Sequence, residues 1–140
     1  MLILILDDMK VRHDSFDRTY ADHEIIHAYS YSDCIKALNG DRKFDLVHLD
    51  HDLDEFSDRP EYYQDGWGRK RFYNGMHVVS HISEMDITKY PDEVIVHSIN
   101  SSAAPDMVRG LKRIGIFAVW IPFGNLEIDI DRDGNDRYDF

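Results

Sequence analysis

Leu2-Ile3-Leu4-Ile5-Leu6-Asp7-Asp8 opens the chain and decides its fold class. Five consecutive Leu and Ile residues leave no polar face, and the run is too short for a useful helix. A strand buried on both faces, as in a parallel sheet, is what such a run fits. Similar runs follow at 24–29, 44–49 and 93–99, and a fifth spans 116–123. The segments between them have helical spacing. Phe16 and Tyr20 follow Asp14 and Ser15, either a suitable cap, and Ile35 and Leu38 follow a possible cap at Ser32. Val78, Val79, Ile82 and Met85 form one stripe. Met107, Val108, Leu111 and Ile114 form another, with Gly115 where a helix ends. Strand–helix alternation predicts an α/β three-layer sandwich. Its doubly wound, five-stranded parallel sheet takes the order 2-1-3-4-5 in core-strand numbering, with helices on both faces.

The length of 140 residues suits one domain, with a core over 1–124 and a polar, acidic tail over 125–140. Hydrophobic residues make up 43% of the chain, enough for a real core, which argues against disorder. Sixteen Lys and Arg stand against 27 Asp and Glu, a net charge of −11. That balance argues against bulk nucleic-acid binding but not against a phosphate-bearing ligand held through a cation. The single cysteine, Cys34, excludes an internal disulfide and a thiol-rich zinc site, and it reads as a small, partly buried residue. The apolar start runs into Asp7-Asp8 without a basic n-region or a cleavage site, so a soluble, cytoplasmic protein with no membrane partner is expected. Residues 54–74 form a long insertion before the third helix, rich in aromatics (Tyr62, Tyr63, Trp67, Phe72, Tyr73) and carrying Arg69-Lys70-Arg71. Loops of this length are often functional, and this one reads equally as a flap gripping a nucleotide or as a surface loop pinned by its aromatics. In the tail, Asp129 to Gly134 match half of a calcium loop, but Phe140 stands where Glu is required, and a solvated acidic tail is the better reading.

Doubly wound sheets bind ligands beyond the carboxyl ends of their strands. Asp7 and Asp8 follow the first run, Asp50, His51 and Asp52 the third, and His97, Ser98 and Asn100 the fourth. Converging carboxylates need a counter-charge, and a hard divalent cation, Mg²⁺ or Mn²⁺, is the simplest. His48 lies within the third run and reads as a sheet-face histidine under a helix.

Asp7-Asp8, Asp50 and Ser98 resemble the acidic site of response-regulator receiver domains. There the first pair holds Mg²⁺, the third-strand aspartate accepts a phosphoryl group, and the Ser contacts it. Receivers also carry a Lys before a Pro after the fifth strand. Here Ile121 precedes Pro122, and no Lys occurs in 116–140. Leu49-Asp50-His51-Asp52-Leu53, Asn74-Gly75 and His97-Ser98-Ile99-Asn100 are similar to the LDHDL string, helix-opening Gly and HSxN string of the cyclic-phosphate processing receiver domain family. Arg12 matches the Arg that often follows that family's first acidic pair, whereas Ser101 to Ala104 replace its Pro-and-Gly continuation.

The resemblance implies a metal-dependent phosphoesterase acting on a cyclic phosphate in a nucleotide or RNA end. Asp7, Asp8 and Asp50 would hold the cation, and His51, His97 and Ser98 would be catalytic, the histidines as acid or base. Asn100, Arg12 and Asp52 would serve substrate binding, Asp52 also orienting a histidine. Two alternatives stay open: a non-catalytic nucleotide-binding or signal-sequestering module, and a degenerate receiver phosphorylated on Asp50.

Overall fold

The computed structural model describes residues 1–124; the acidic tail and its half calcium loop lie outside the described residues. Strands β1 (Leu2–Leu6), β2 (Glu24–Ala28), β3 (Leu46–Leu49), β6 (Glu93–Val96) and β7 (Phe117–Trp120) form one sheet in the order β2-β1-β3-β6-β7. Every pairing in it is parallel. This is the expected 2-1-3-4-5 order, once the two short strands of the insertion are passed over. The central strands β1 and β3 are buried along their whole length, which is why their sequences show no alternation.

Helix α1 (Lys10–Thr19) covers one face, where Phe16 and Tyr20 meet Ile3, Ile5, Leu46 and Ile95. Helices α2 (Tyr31–Leu38), α3 (Gly75–Glu84) and α4 (Ala103–Arg113) cover the other. The apolar stripes read from the sequence supply their contacts: Cys34 and Leu38 from α2, Val78, Val79 and Ile82 from α3, and Ala104, Met107 and Leu111 from α4. Cys34 is fully enclosed, and burial pushes its thiol pKa up. No described helix is long and apolar enough to cross a membrane.

Two helix starts differ from expectation, each because a neighbouring polar side chain binds the free amides first. Asp7 accepts the Met9 amide, so α1 begins at Lys10 rather than beside Asp14 or Ser15. Asp14 pairs instead with Lys10, and Ser15 accepts a hydrogen bond from Arg18. Ser30 caps α2 by accepting from the Asp33 amide, whereas Ser32 is held by Glu61. Asn100 accepts from the Ser102 and Ala103 amides and so starts α4. Gly115 does close α4, at φ +89.

The insertion contains an antiparallel hairpin, β4 (Tyr62–Gln64) and β5 (Lys70–Phe72). Its base is tied to the body. Tyr73 stacks on Tyr31 at 4.1 Å, Tyr63 hydrogen-bonds His77 at 3.0 Å, and Glu61 accepts from the Ser32 amide at 2.8 Å.

Where the insertion rejoins the core, the Gly75 amide donates to the His51 carbonyl at 2.9 Å. A β-carbon on Gly75 would overlap the Asp50 carbonyl oxygen and the Met107 methyl group. Alanine usually favours a helix over glycine by about 1 kcal/mol, but here the overlap reverses the sign. Gly75→Ala is expected to lower unfolding free energy by about 2 kcal/mol in urea melts; a variant as stable as the parent would show that this contact is not tight.

Candidate functional site

The ends of β1, β3 and β6 place their next residues side by side. The Asp50 amide donates to Leu6 and the His97 amide to Leu49, so the sheet ladder itself sets these two residues in register with Asp7. One carboxylate oxygen of Asp7 takes the Met9 amide at 2.8 Å. The other takes His97 Nε2–H at 2.8 Å and faces the Arg12 guanidinium at 3.3 Å. Asp50 accepts the His51 amide at 2.9 Å, and its second oxygen lies 3.8 Å from Arg12. Asp7, Asp50 and His97 each present a ligand atom within 4.8 Å of the others, and all three are buried. Asp8 stands outside that tight group. Its Oδ2 accepts the Phe56 amide at 2.8 Å, while its Oδ1 is enclosed and has no hydrogen-bond partner among the described residues.

Burial opposes ionisation of Asp7, yet the His97 hydrogen bond and charge, the Met9 amide and Arg12 together hold its pKa below the usual carboxylate value. Asp8 moves the other way, raised by burial and by the charge of Asp7. Asp50 is pushed up to about 7, first by burial and then by Asp7 and Asp8, against a partial offset from His97 and Arg12. Among the described residues, three carboxylates thus gather around one guanidinium, with one buried oxygen unsatisfied. That donor set fits a hard divalent cation, which prefers oxygen ligands and supplies the missing positive charge.

His97 is enclosed by rings, with Phe16 at 5.3 Å and His48 at 5.9 Å, and its Nε2–H is committed to Asp7. His51 is only partly buried, and its Nδ1 pairs with Asp52 at 2.8 Å. The structure therefore places Asp52 on His51, as an orienting carboxylate. Ser98 is enclosed, and its hydroxyl oxygen accepts the Asn100 amide. Asn100 spends its side-chain oxygen on capping α4, which leaves its NH₂ group as the available donor. His48 is a buried sheet-face residue hydrogen-bonded to Tyr20 at 2.8 Å.

Sequence reasoning missed Phe56 and Phe123. The Arg12 guanidinium lies 6.0 Å from the Phe56 ring and 5.3 Å from the Phe123 ring, close enough for cation–π attraction. Phe123 directly follows Pro122, so the strand end that lacks the receiver Lys contributes a ring that holds a cation supplied by α1. No local motif marks this substitution; only its place after the fifth core strand could have drawn attention to it.

Without metal, the raised pKa of Asp50 makes its stability contribution complete at low pH and progressively lost as pH rises from about 4 through about 7. Asp50→Asn is neutral throughout and escapes that loss. The metal-free variant is expected to match the parent near pH 4 and to melt on the order of 5 °C higher at pH 7.5. Mn²⁺ should raise the melting temperature of the parent but not of the variant. Equal shifts in both proteins would remove Asp50 from the cation site.

Among curated proteins, none matches this sequence. Solved structures with the same fold include a CheY-like receiver domain from Methylobacillus flagellatus, 15% identical at a TM-score of 0.59, over 94% of this chain and 97% of that one. The receiver domain of NtrX from Brucella abortus is 20% identical at a TM-score of 0.56, over 93% and 95%. A response regulator from Burkholderia pseudomallei, holding a phosphorylated aspartic acid, a calcium ion and citrate, is 13% identical at a TM-score of 0.55, over 96% and 72%. At such identities the likeness establishes the fold alone, that of CheY-like receiver domains. The sequence model of the cyclic-phosphate processing receiver domain matches residues 2–113, most of the chain, and the chain belongs to that family.

Proposed function

We propose that this protein is a metal-dependent phosphoesterase that opens a cyclic phosphate in a nucleotide or at an RNA end. The observation that carries the proposal is the buried set of Asp7, Asp50 and His97, with ligand atoms within 4.8 Å of one another, beside the unsatisfied oxygen of Asp8. In this reading Asp7, Asp8 and Asp50 hold a Mg²⁺ or Mn²⁺ ion. When bound, the cation draws charge from the phosphoryl oxygens and so stabilises the transition state. His97 keeps Asp7 ionised and oriented, and it is a positioning residue.

His51 is the proton-transfer group. It is the partly exposed histidine of the two, and Asp52 fixes its ring through Nδ1, which leaves Nε2 for the reacting oxygens. Opening the ring adds one water. A P–O bond forms to the water oxygen as the bond to one ribose oxygen breaks, and a proton passes from water to that ribose oxygen by way of His51. The Ser98 hydroxyl and the Asn100 NH₂ donate hydrogen bonds to the phosphoryl oxygens. Arg12, clamped between Phe56 and Phe123, offers the positive charge that a Lys after the last strand supplies in receivers. The partly exposed, carboxylate-oriented His51 favours this reading over a passive binding module. The absence of a Lys from 116–140 weighs against phosphorylation of Asp50 as the main role.

The test is incubation with cyclic mononucleotides and with RNA ending in a 2′,3′-cyclic phosphate, with and without Mg²⁺ or Mn²⁺, followed by product analysis. Metal-dependent ring opening is expected. His51→Ala should lower the maximal rate by about 10²- to 10⁴-fold with little change in KM, and Asp52→Asn by about 10-fold. Stoichiometric retention of intact ligand without product would make the site a binding module instead.

A further inference from the structure

The hairpin rises from the connection that frames the site and ends in exposed rings. Trp67 at its tip is 84% exposed and Tyr62 57%, while Phe72 packs edge-on to Tyr62 at 6.3 Å. Burial therefore does not account for these aromatics, unlike Tyr63 and Tyr73 at the base, which are pinned to His77 and Tyr31. Lys70 lies 4.3 Å from the Tyr62 ring centre and 5.3 Å from that of Phe72. Arg69 and Arg71 flank it, both paired with Asp65 yet with side chains 64% and 50% exposed. Residues 62–72 thus carry three cations against one carboxylate, on a chain whose net charge is −11. A positive, ring-bearing hairpin on an acidic body matches the chemistry of single-stranded nucleic acid, whose bases stack on rings and whose phosphates pair with Arg and Lys. A protein partner drawn to this hairpin by charge alone would leave the exposed rings unexplained.

Both ends of the connection sit at the site. The Phe56 amide donates to Asp8, and the Gly75 amide donates to the carbonyl of His51, next to Asp50. Trp67 lies eight positions before Gly75, a reach of at most about 29 Å in an extended chain. A strand with its terminus among the carboxylates therefore meets the hairpin within several nucleotides.

We propose that the β4–β5 hairpin is a docking surface for single-stranded RNA, holding the strand whose terminal cyclic phosphate enters the carboxylate site. This rests on the phosphoesterase reading and selects, between its two substrate classes, the RNA end. It is tested by fluorescence anisotropy with 5′-fluorescein-labelled octauridylate ending either in a 2′,3′-cyclic phosphate or in a 3′-hydroxyl. Competition by the cyclic mononucleotide gives the reference affinity. The octamer is expected to bind at least 10-fold more tightly than the mononucleotide. Trp67→Ala should weaken the octamer about 5- to 10-fold. Arg69→Ala should make the slope of log affinity against log salt shallower by about 0.7. Both positions are exposed, and an unchanged melting temperature and Mn²⁺ affinity would certify that the variants are folded. Equal affinity for octamer and mononucleotide, or octamer binding unaffected by both substitutions, overturns the docking role and leaves the hairpin to another partner. Hairpin-dependent octamer binding without ring opening supports docking while rejecting the phosphoesterase. Turnover of the mononucleotide without any octamer advantage does the reverse.

Discussion

Repulsion among carboxylates at the ends of buried strands is the constraint around which this molecule is arranged. Asp7 and Asp50 are nearly solvent-free, and Asp8 is little more exposed. Burial alone would drive all three towards their neutral forms. The protein resolves this unevenly. Asp7 receives the His97 hydrogen bond, the Met9 amide and the nearest approach of Arg12, and it stays ionised. Asp50, with weaker support, is pushed up to about 7, and Asp8 keeps one oxygen unsatisfied. The metal-free protein therefore stores an electrostatic deficit that a divalent cation is suited to relieve.

The rest of the fold serves to keep that deficit in place. Carboxylates that could move apart would relax into solvent, but the parallel ladder hydrogen-bonds Asp50 to Leu6 and His97 to Leu49. Helix α3 begins on the glycine that permits contact with the Asp50 carbonyl, and α1 begins where Asp7 captures the Met9 amide. Arg12 is steadied by two phenylalanines far apart in sequence, one in the insertion and one after the last strand. In the proposed reading the phosphate-contacting cation comes from the first helix, and the segment after the last strand supplies a ring that packs on it.

Much of this was legible from residues alone. A continuous apolar run such as Leu2–Leu6 or Val94–Val96 has one good solution, the doubly buried parallel strand, so the sheet followed from it. Parallel sheets gather their strand ends on one side, so Asp7, Asp50 and His97 could be grouped without coordinates. Helix starts were misread at Ser15 and Ser32 because several cap-forming residues lie close together in sequence. Which of them captures the free amides depends on tertiary neighbours such as Asp7 and Glu61.

The sequence by itself determined the sheet, the order of its helices and which polar residues stand at the strand ends, because each depends on periodicity or on residues adjacent along the chain. Only the tertiary structure decided how the charges are shared. It assigned His97 to Asp7 and Asp52 to His51, left Asp8 outside the tight group, and brought Phe56 and Phe123 to Arg12. Those pairings join positions up to 111 residues apart in sequence, as Arg12 and Phe123 are, and their strength depends on distance and burial. Neither quantity is written in the order of residues; both arise only when the chain closes upon itself.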